Sequence, residues 1–570
     1  MLRKKQIKQI LEKTKILTNK EFGKLLSEAQ KNNKSLENYL IEKKIITSSL
    51  LYKNAAEYYK LPFIDLEFPK IKKEAMLKIP ETIANTYSVI AFDINDKEIK
   101  IATTNPENLQ IFEFIKKKLE KEIKIYITSP ENIKEGLRHY QQNIKTTFED
   151  FEKNEKNESL EKKAEDQPII KIVDSIIEYA INQDASDIHI EPGEKGIKIR
   201  YRIDGMLTDI MSLSKKTQEG ILARIKILTN LKVDEHRLPQ DGRFKISNEK
   251  YKISFRVSTI PTIDGEKIVI RLLNEDVQIL SLEQLGFQQD SLEIIQRNIK
   301  KPNGMILATG PTGSGKTTTL YTILNYLNKP EVNISTVEDP IEYRMHRVNQ
   351  TQINHKIGFS FALGLRALLR QDPDIIMVGE IRDEETAQIA VHAAMTGHLV
   401  LSTLHTNSAV ATLPRLTDMD VPPYLIASTV NLIIAQRLAR KICPNCIQSY
   451  NLDIETIKKI EKNINIDKIL KTLAKRKIIS QKVKSLKSLL FYKGKGCSKC
   501  NETGYKGRIG VYETLEVTPE ISNLIAKKTD SGELAKEAEK QGMLTMLEDG
   551  FIKAKNGITT LEEIIRVTKE

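Results

Sequence analysis

The chain has 570 residues, of which 40% are hydrophobic and 29% are charged. That length accommodates about three to five domains of ~100–200 residues, each with a buried core. No apolar run approaches the ~18 residues of a membrane-spanning helix, and no apolar stretch of the signal-peptide kind follows the basic N-terminus. We therefore expect a protein that works in the cytoplasm and reaches membranes through partners.

The net charge is +13, from 89 basic and 76 acidic residues. An excess of basic residues can indicate that a protein binds nucleic acid or the anionic face of a membrane. Here Lys is used far more than Arg, and no basic tract has interleaved aromatic residues. The charge alone therefore favours solvated surfaces and no direct contact with nucleic acid.

The first 145 residues have the pattern of one domain, with helices first and a mixed α+β part after them. Apolar residues recur every three or four positions in 22–29 and 51–59, which predicts helices. Two strands are predicted at 87–93 and 98–104 as a pair, then a helix at 109–121 and a strand at 123–127. Residues 146–166 are charged and almost without branched apolar residues, as in a flexible linker.

A second domain is predicted for residues 167–275. A helix at 169–182 leads into strands at 197–203, 251–259 and 267–273. Alternation in the first of these strands points Arg200 and Arg202 away from the core. From residue 276 to the end, strands alternate with helices, as a parallel α/β sheet requires.

The third domain carries a phosphate-binding loop. Its residues follow an apolar strand at 305–308 and precede a helical segment at 318–326, which is the strand–loop–helix context of the motif. Backbone N–H groups and the helix N-terminus would bind phosphate, Lys316 would reach the β- and γ-phosphates, and Thr317 would bind Mg²⁺. The residues predicted to hold the nucleotide are Gly310, Pro311, Thr312, Gly313, Ser314, Gly315, Lys316, Thr317 and Thr318.

Acidic side chains follow two apolar strands downstream of this loop. Glu338 and Glu342 come at and after the strand that begins at residue 334, and Glu380 follows the strand at 375–378. Carboxylates at the carboxyl ends of strands beside a phosphate loop can orient water or hold Mg²⁺. A third buried strand is flanked by His398 and His405, which we expect to sense or contact the γ-phosphate.

All four cysteines of the chain form two C-x-x-C pairs, Cys443 with Cys446 and Cys497 with Cys500. Four thiolates can hold zinc in a closed structural site, and disulfides are not expected in a reducing cytoplasm. The 50 residues between the pairs exceed the usual spacing, so an insertion is expected to loop out between them.

These motifs, in this order, resemble the secretion ATPases of type II secretion and type IV pilus assembly. Four motifs of this family are matched: the Walker A loop, an aspartate box at 338–342, a Walker B stretch at 374–382 and a histidine box at 397–405. The tetracysteine module is similar to that of the assembly ATPases, and the segments 186–192, 237–243 and 255–271 resemble the family's second N-terminal domain. The resemblance covers residues 167–570, while residues 1–145 resemble the first N-terminal domain more loosely.

The resemblance implies a multidomain α/β protein: a RecA-like ATPase core at 276–570, a PAS-like domain at 167–275 and a docking domain at 1–145. The core would include a zinc module at about 440–512 and C-terminal helices at 513–570. It also implies a homo-hexamer with ATP held between subunits, and Arg256 and Arg271 match the arginines that complete the family's site. Leu36-Glu37 stands where relatives that sense cyclic di-GMP have a Leu-Gly pair, so binding of that nucleotide is not expected.

By this resemblance the chain is a cytoplasmic ATP-hydrolysing motor, associated with the inner membrane through a platform protein and the pilus machinery. A type II secretion ATPase shares every motif and is the alternative, and a DNA-translocating motor is a third hypothesis. We expect Glu342, or else Glu338, to orient the attacking water. Glu380 is expected to hold Mg²⁺ through water.

Overall fold

The computed structural model describes residues 167–247, 251–274 and 279–569 continuously, and parts of residues 7–137. The linker predicted at 146–166 and much of the helix predicted at 22–29 lie outside the described residues. The chain divides into two compact units, one of residues 1–179 with 213–224 and one of residues 180–212 with 225–570. In the described part of the chain, no helix is long and apolar enough to cross a membrane.

The N-terminal part combines helices with a small sheet, as the sequence predicts. Helices α1 (Leu36–Glu42) and α2 (Ser48–Tyr59) come first, and α3 (Lys73–Met76) and α4 (Leu109–Leu119) follow. Strands β1 (Val89–Ile94) and β2 (Glu98–Thr103) pair antiparallel, and β3 (Glu122–Ile127) lies parallel to β2. The helix between β2 and β3 provides the crossover that a parallel pair needs.

The next part is built around a six-stranded sheet with the order β6-β5-β4-β9-β8-β7. Its strands are β4 (Ala185–Gly193), β5 (Gly196–Ile203), β6 (Met206–Ser214), β7 (Gln240–Ser247), β8 (Lys252–Thr262) and β9 (Gly265–Asn274), with helices α5 (Gln167–Asn182) and α6 (Gln218–Leu228). In β5, Ile197, Ile199 and Tyr201 are buried whereas Arg200 and Arg202 are half-buried, which confirms the predicted alternation.

The largest sheet has seven strands in the order β12-β11-β13-β14-β10-β15-β18. These strands are β10 (Gly304–Thr309), β11 (Ile334–Glu338), β12 (Val348–Gln352), β13 (Ile375–Val378), β14 (Leu399–Leu404), β15 (Val430–Ile442) and β18 (Tyr505–Glu516). All neighbours are parallel except β15 and β18, which are antiparallel. The parallel sheet that the sequence predicts therefore carries one antiparallel strand at its edge.

Helices cover both sides of this sheet. They are α7 (Leu282–Leu285), α8 (Gln289–Asn298), α9 (Lys316–Leu327), α10 (Phe361–Leu368), α11 (Glu384–Met395), α12 (Thr412–Thr417) and α13 (Pro423–Thr429). Strand β10 is buried along its whole length, as expected for the middle of a sheet with helices on both faces. The central position of β10 decides which side chains surround the loop that follows it.

The segment between β15 and β18 is an excursion from the sheet. Strands β16 (Ile447–Asn451) and β17 (Leu490–Gly494) pair antiparallel, and helices α14 (Ile454–Glu461) and α15 (Ile466–Lys475) lie between them in the chain. The expected insertion is thus present. The predicted boundary at residue 512 is wrong, because β18 belongs to the main sheet and runs on to Glu516.

Four C-terminal helices end the chain: α16 (Pro519–Ala526), α17 (Ser531–Lys540), α18 (Met546–Lys555) and α19 (Leu561–Thr568). They begin after β18 and not at residue 513. Glu563 of α19 accepts hydrogen bonds from the backbone N–H and the guanidinium of Arg440 in β15. This fully buried carboxylate fastens the last helix to the sheet.

Candidate active site

The phosphate-binding loop joins β10 to α9 and depends on glycine conformations. Gly310, Gly313 and Gly315 have φ angles of 144°, 79° and 90°. A Cβ on Gly310 would lie 2.4 Å from the carbonyl oxygen of Gln436, so that position accepts no side chain. Gly315 is the N-cap of α9, and the first-turn N–H groups of the helix therefore remain available for an anion.

Lys316 places its amine inside the loop. Its side chain is buried, and Nζ donates hydrogen bonds to the carbonyl oxygens of Gly310 at 2.7 Å and Pro311 at 3.3 Å. Burial lowers the pKa of Lys316 to about 8, although the charge of Glu380 acts in the opposite direction. A cation in these surroundings is a ready partner for a phosphate.

Gln436 of β15 supports the loop, and sequence reasoning assigned it no role. The buried amide donates from Nε2 to the carbonyl oxygen of Ser314 at 2.8 Å and accepts at Oε1 from the Thr319 hydroxyl at 2.8 Å. It thus ties the loop and the first turn of α9 to the neighbouring strand. The sequence feature that could have indicated this role is a polar residue directly after the apolar run 432–435.

Glu380 and His405 lie at the carboxyl edge of the sheet beside the loop. His405 follows β14, whose last residue Leu404 is opposite Thr309 at the end of β10. His405 Nε2 lies 3.3 Å from Glu380 Oε2, and the same oxygen accepts from Arg382 Nε at 2.7 Å. Glu380 therefore has His405 as a neighbour and acts electrostatically on Lys316.

His398 does not belong to this neighbourhood within its own chain, and its part in sensing or contacting the γ-phosphate stays a prediction. It precedes β14 at the amino edge of the sheet, where its carbonyl oxygen accepts from the Gly304 N–H. Its Nδ1 lies 2.9 Å from the carbonyl oxygen of Ala393. Five strand residues at ~3.3 Å each separate this edge from the loop.

Glu338 is an unsuitable residue for orienting water. It is 2% exposed, and its carboxylate accepts from the hydroxyls of Tyr321 and Thr336 and from the Gln350 amide. Burial raises its pKa, while the hydrogen bonds act against that rise. Because both oxygens are already bound inside the fold, the structure places Glu338 in a supporting role.

Glu342 is half-buried and lies three residues beyond a cis Asp339–Pro340 bond. It lies in the electrostatic neighbourhood of Arg256, together with Asp339. Burial lowers the pKa of Arg256, and the two carboxylates oppose that effect. Arg256 of β8 and the acids after β11 therefore affect one another electrostatically within a single chain.

Arg271 differs from Arg256 in its contacts. The two arginines are opposite each other in the β8–β9 register, but Arg271 Nε donates to Asp187 Oδ1 at 3.0 Å and its side chain is 58% exposed. An ion pair this exposed contributes little to stability. Its part in hydrolysis stays a prediction.

The four cysteines meet where β15 ends and shortly before β18 begins. Their Sγ atoms all lie within 4.8 Å of one another, and all four thiols are free. The Cys500 sulfur is also in contact with the backbone N–H groups of Cys497 and Gly504 at 3.2 and 3.3 Å. The antiparallel pairing of β15 and β18 brings the two pairs together, and the group could hold a metal ion.

The sequence matches the family described as type II/IV secretion system protein over residues 162–566. The chain belongs to this family. Residues 59–147 match the MshEN domain. The family and the phosphate loop together identify an ATP-hydrolysing enzyme.

Curated relatives span nearly the whole chain. The type IV pilus assembly ATPase PilB of Myxococcus xanthus is 37% identical over 98% of both chains. The type II secretion system ATPase E of Vibrio cholerae is 44% identical over 76% of this chain and 82% of its own. Among solved structures, the pilus retraction motor PilT with ADP is 28% identical, covers 69% of this chain and 96% of its own, and has a TM-score of 0.46.

Proposed function

We propose that the protein is the motor of type IV pilus assembly and couples ATP hydrolysis to domain movement against an inner-membrane platform protein. The observation that carries this proposal is the end-to-end likeness to a pilus assembly ATPase, at 98% of both chains. The type II secretion relative matches only 76% of this chain. The N-terminal part, which we assign to docking, is therefore included in the pilus likeness.

The working unit that we propose is a homo-hexamer in the cytoplasm, held at the inner membrane by its partners.

The site supports hydrolysis of Mg²⁺-bound ATP. Thr317 and Glu380 would hold the ion, Lys316 would neutralise phosphate charge and Glu342 would orient water. Residues 167–275 would be the PAS-like domain, and the six-stranded sheet within that range supports this assignment. We assign neither nucleic acid nor cyclic di-GMP as a ligand.

We further propose zinc as the ion of the cysteine group. Zn–S bonds of ~2.3 Å in a tetrahedron give sulfur–sulfur edges of about 3.8 Å. The Sγ distances are 3.9 Å for Cys443–Cys497, 3.8 Å for Cys446–Cys500 and 3.7 Å for Cys497–Cys500. Four thiolates leave no open position on such an ion, so its role would be structural.

Complementation of a gene deletion tests the motor proposal. We expect the deletion strain to lack surface pili, and the wild-type gene to restore them. Lys316→Ala should fail, since it removes the phosphate-binding amine, whereas Lys329→Ala removes an exposed lysine on the same domain and should succeed. Normal pili together with lost secretion of folded exoproteins would instead identify the type II secretion ATPase.

A further inference from the structure

Most of the net charge of the chain is concentrated in one place. The 50 residues between the two cysteine pairs, 447–496, contain 13 basic and 4 acidic residues, a net charge of +9 out of +13. We call this segment the insertion. Its charge is of a single sign towards the C-terminal end, because residues 468–496 contain 10 basic residues and no Asp or Glu.

A folded frame displays these charges. Ile469, Leu470 and Leu473 of α15 are buried, as are Leu486 and Phe491 further along the insertion. The apolar side chains therefore face the protein, and the lysines between them face solvent. The exposed lysines therefore belong to a folded segment and not to an unstructured basic tail, and we call them together the patch.

The charges on this patch are largely uncompensated. Lys468 pairs with Glu539, and Arg476 pairs with Asp290. Ten further lysines are exposed and form no ion pair within the described part of the chain: Lys458, Lys459, Lys462, Lys471, Lys475, Lys477, Lys482, Lys484, Lys487 and Lys495. Concentrated charge of one sign is costly unless a counter-surface lies nearby.

We propose that the insertion is a contact surface for a membrane rich in anionic lipid. Clusters of four to eight basic residues bind anionic headgroups electrostatically, without insertion of apolar groups. The insertion fits this mode because its apolar side chains are largely turned inward. It would hold the motor against the bilayer in addition to any protein partner.

Two other kinds of partner fit the patch less well. Protein interfaces are depleted in lysine and rich in aromatic anchors, whereas this patch has 12 lysines and one arginine. Single-stranded nucleic acid is bound by stacking on exposed aromatic rings. The aromatic residues of the insertion, Tyr450, Phe491 and Tyr492, are half-buried or buried.

The choice of a membrane also rests on the proposed work at the inner membrane, so the test keeps the two proposals apart. Binding of the purified full chain to vesicles is measured without nucleotide, and ATP hydrolysis is measured without vesicles. One vesicle set contains phosphatidylglycerol and phosphatidylethanolamine, and the other contains phosphatidylcholine alone. If the purified chain binds anionic vesicles but does not hydrolyse ATP, that result contradicts the motor proposal and leaves the membrane proposal standing.

The test variant replaces Lys477, Lys482, Lys484 and Lys487 by Gln. Each lysine near an anionic surface contributes a factor of about five in binding, so we expect anionic vesicle binding to fall by more than about a hundredfold. The matched control replaces four exposed lysines elsewhere, Lys300, Lys329, Lys527 and Lys536. It removes the same net charge and should change binding by less than about fivefold. Circular dichroism and gel filtration verify that both variants fold.

The proposal is supported if only the insertion variant loses binding to anionic vesicles. Neither the wild type nor either variant should then bind phosphatidylcholine vesicles. An equal loss in both variants would show that only total charge matters and would overturn it. Absence of wild-type binding to anionic vesicles would overturn it as well. Duplex DNA is included as a competitor, and tighter binding to DNA that is lost in the insertion variant would reassign the patch to nucleic acid.

Discussion

The carboxylates around the phosphate loop have different roles because their surroundings differ. Glu338 is enclosed by Tyr321 and Thr336. Glu380 lies beside His405 and Arg382, and Glu342 is an electrostatic neighbour of Arg256. Glu342 and Glu380 are both half-buried, and because the carboxylate of Glu380 is already paired with Arg382, we expect Glu342 to be the one that acts on water.

Replacement of single acids tests this division. Glu342→Gln keeps the shape of the side chain but removes its charge, and we expect ATP hydrolysis to fall by a factor of ~10²–10⁴ with ATP binding nearly unchanged. Glu380→Gln should also abolish hydrolysis but should require more Mg²⁺ for ATP binding. Titrations of binding and turnover against Mg²⁺ distinguish the two, and near-normal turnover in Glu342→Gln would remove that residue from the mechanism.

The buried Lys316 makes nucleotide affinity depend on pH. Its pKa is lowered to about 8, so the nucleotide-free site loses the charge as pH rises through 8, whereas bound phosphate keeps the amine protonated. We therefore expect affinity for a non-hydrolysable ATP analogue to be constant below pH 7 and about tenfold weaker at pH 9. Calorimetry at both pH values measures this, with Lys316→Ala as the control that should show no such dependence.

At the scale of elements, the pairing of β15 with β18 creates the cysteine site. Arg440 is opposite Arg508, and Ile442 is opposite Tyr505. Both C-x-x-C pairs therefore lie just beyond the same end of one strand pair. The insertion closes on itself through β16 and β17, so its length does not disturb the site.

Metal analysis tests this arrangement. Protein purified under reducing conditions should contain about one zinc per chain, and Cys443→Ser should lose the metal together with local folding, because zinc binding supplies folding free energy. The control is Lys499→Ser, which changes an exposed residue between Cys497 and Cys500 without removing a thiol. This variant should keep the zinc. Zinc-free wild-type protein would disprove the assignment.

At the scale of the whole molecule, the main question is whether the arginine that completes the ATP site comes from the same subunit or from a neighbouring one. The family resemblance predicts ATP between subunits, completed by Arg256 and Arg271. The structure brings Arg256 near Glu342 and Asp339 of its own chain. Arg271 is occupied by Asp187. We therefore favour Arg256 as the residue that neutralises developing phosphate charge, acting within one chain.

Subunit mixing tests this inference. Arg256→Ala should reduce turnover by more than about tenfold with little change in nucleotide affinity, because the arginine serves the transition state. If the residue acts in its own chain, mixing Arg256→Ala with Lys316→Ala subunits should restore no activity. Recovery at intermediate mixing ratios would show that the arginine acts across subunits, and Arg271→Ala in parallel shows which arginine matters.

The sequence by itself determined the chemistry of the site. The glycines, Lys316 and Thr317 have fixed spacing within one loop, and the acids Glu342 and Glu380 follow apolar strands. Such local patterns are legible because a phosphate loop and a strand end each depend on a few neighbouring residues. The same holds for the C-x-x-C pairs, whose spacing alone indicates a metal site.

Only the tertiary structure decided which distant residues share the site. Strand order puts the carboxyl end of β14, and with it His405, beside the loop, and His398 then lies at the opposite edge because the two histidines flank the same strand. It also encloses Glu338 in hydrogen bonds, makes Gln436 a partner of the loop and makes Arg256 an electrostatic neighbour of Glu342. These relations depend on the order in which strands pair, and because pairing joins residues tens to hundreds of positions apart, no local pattern encodes it.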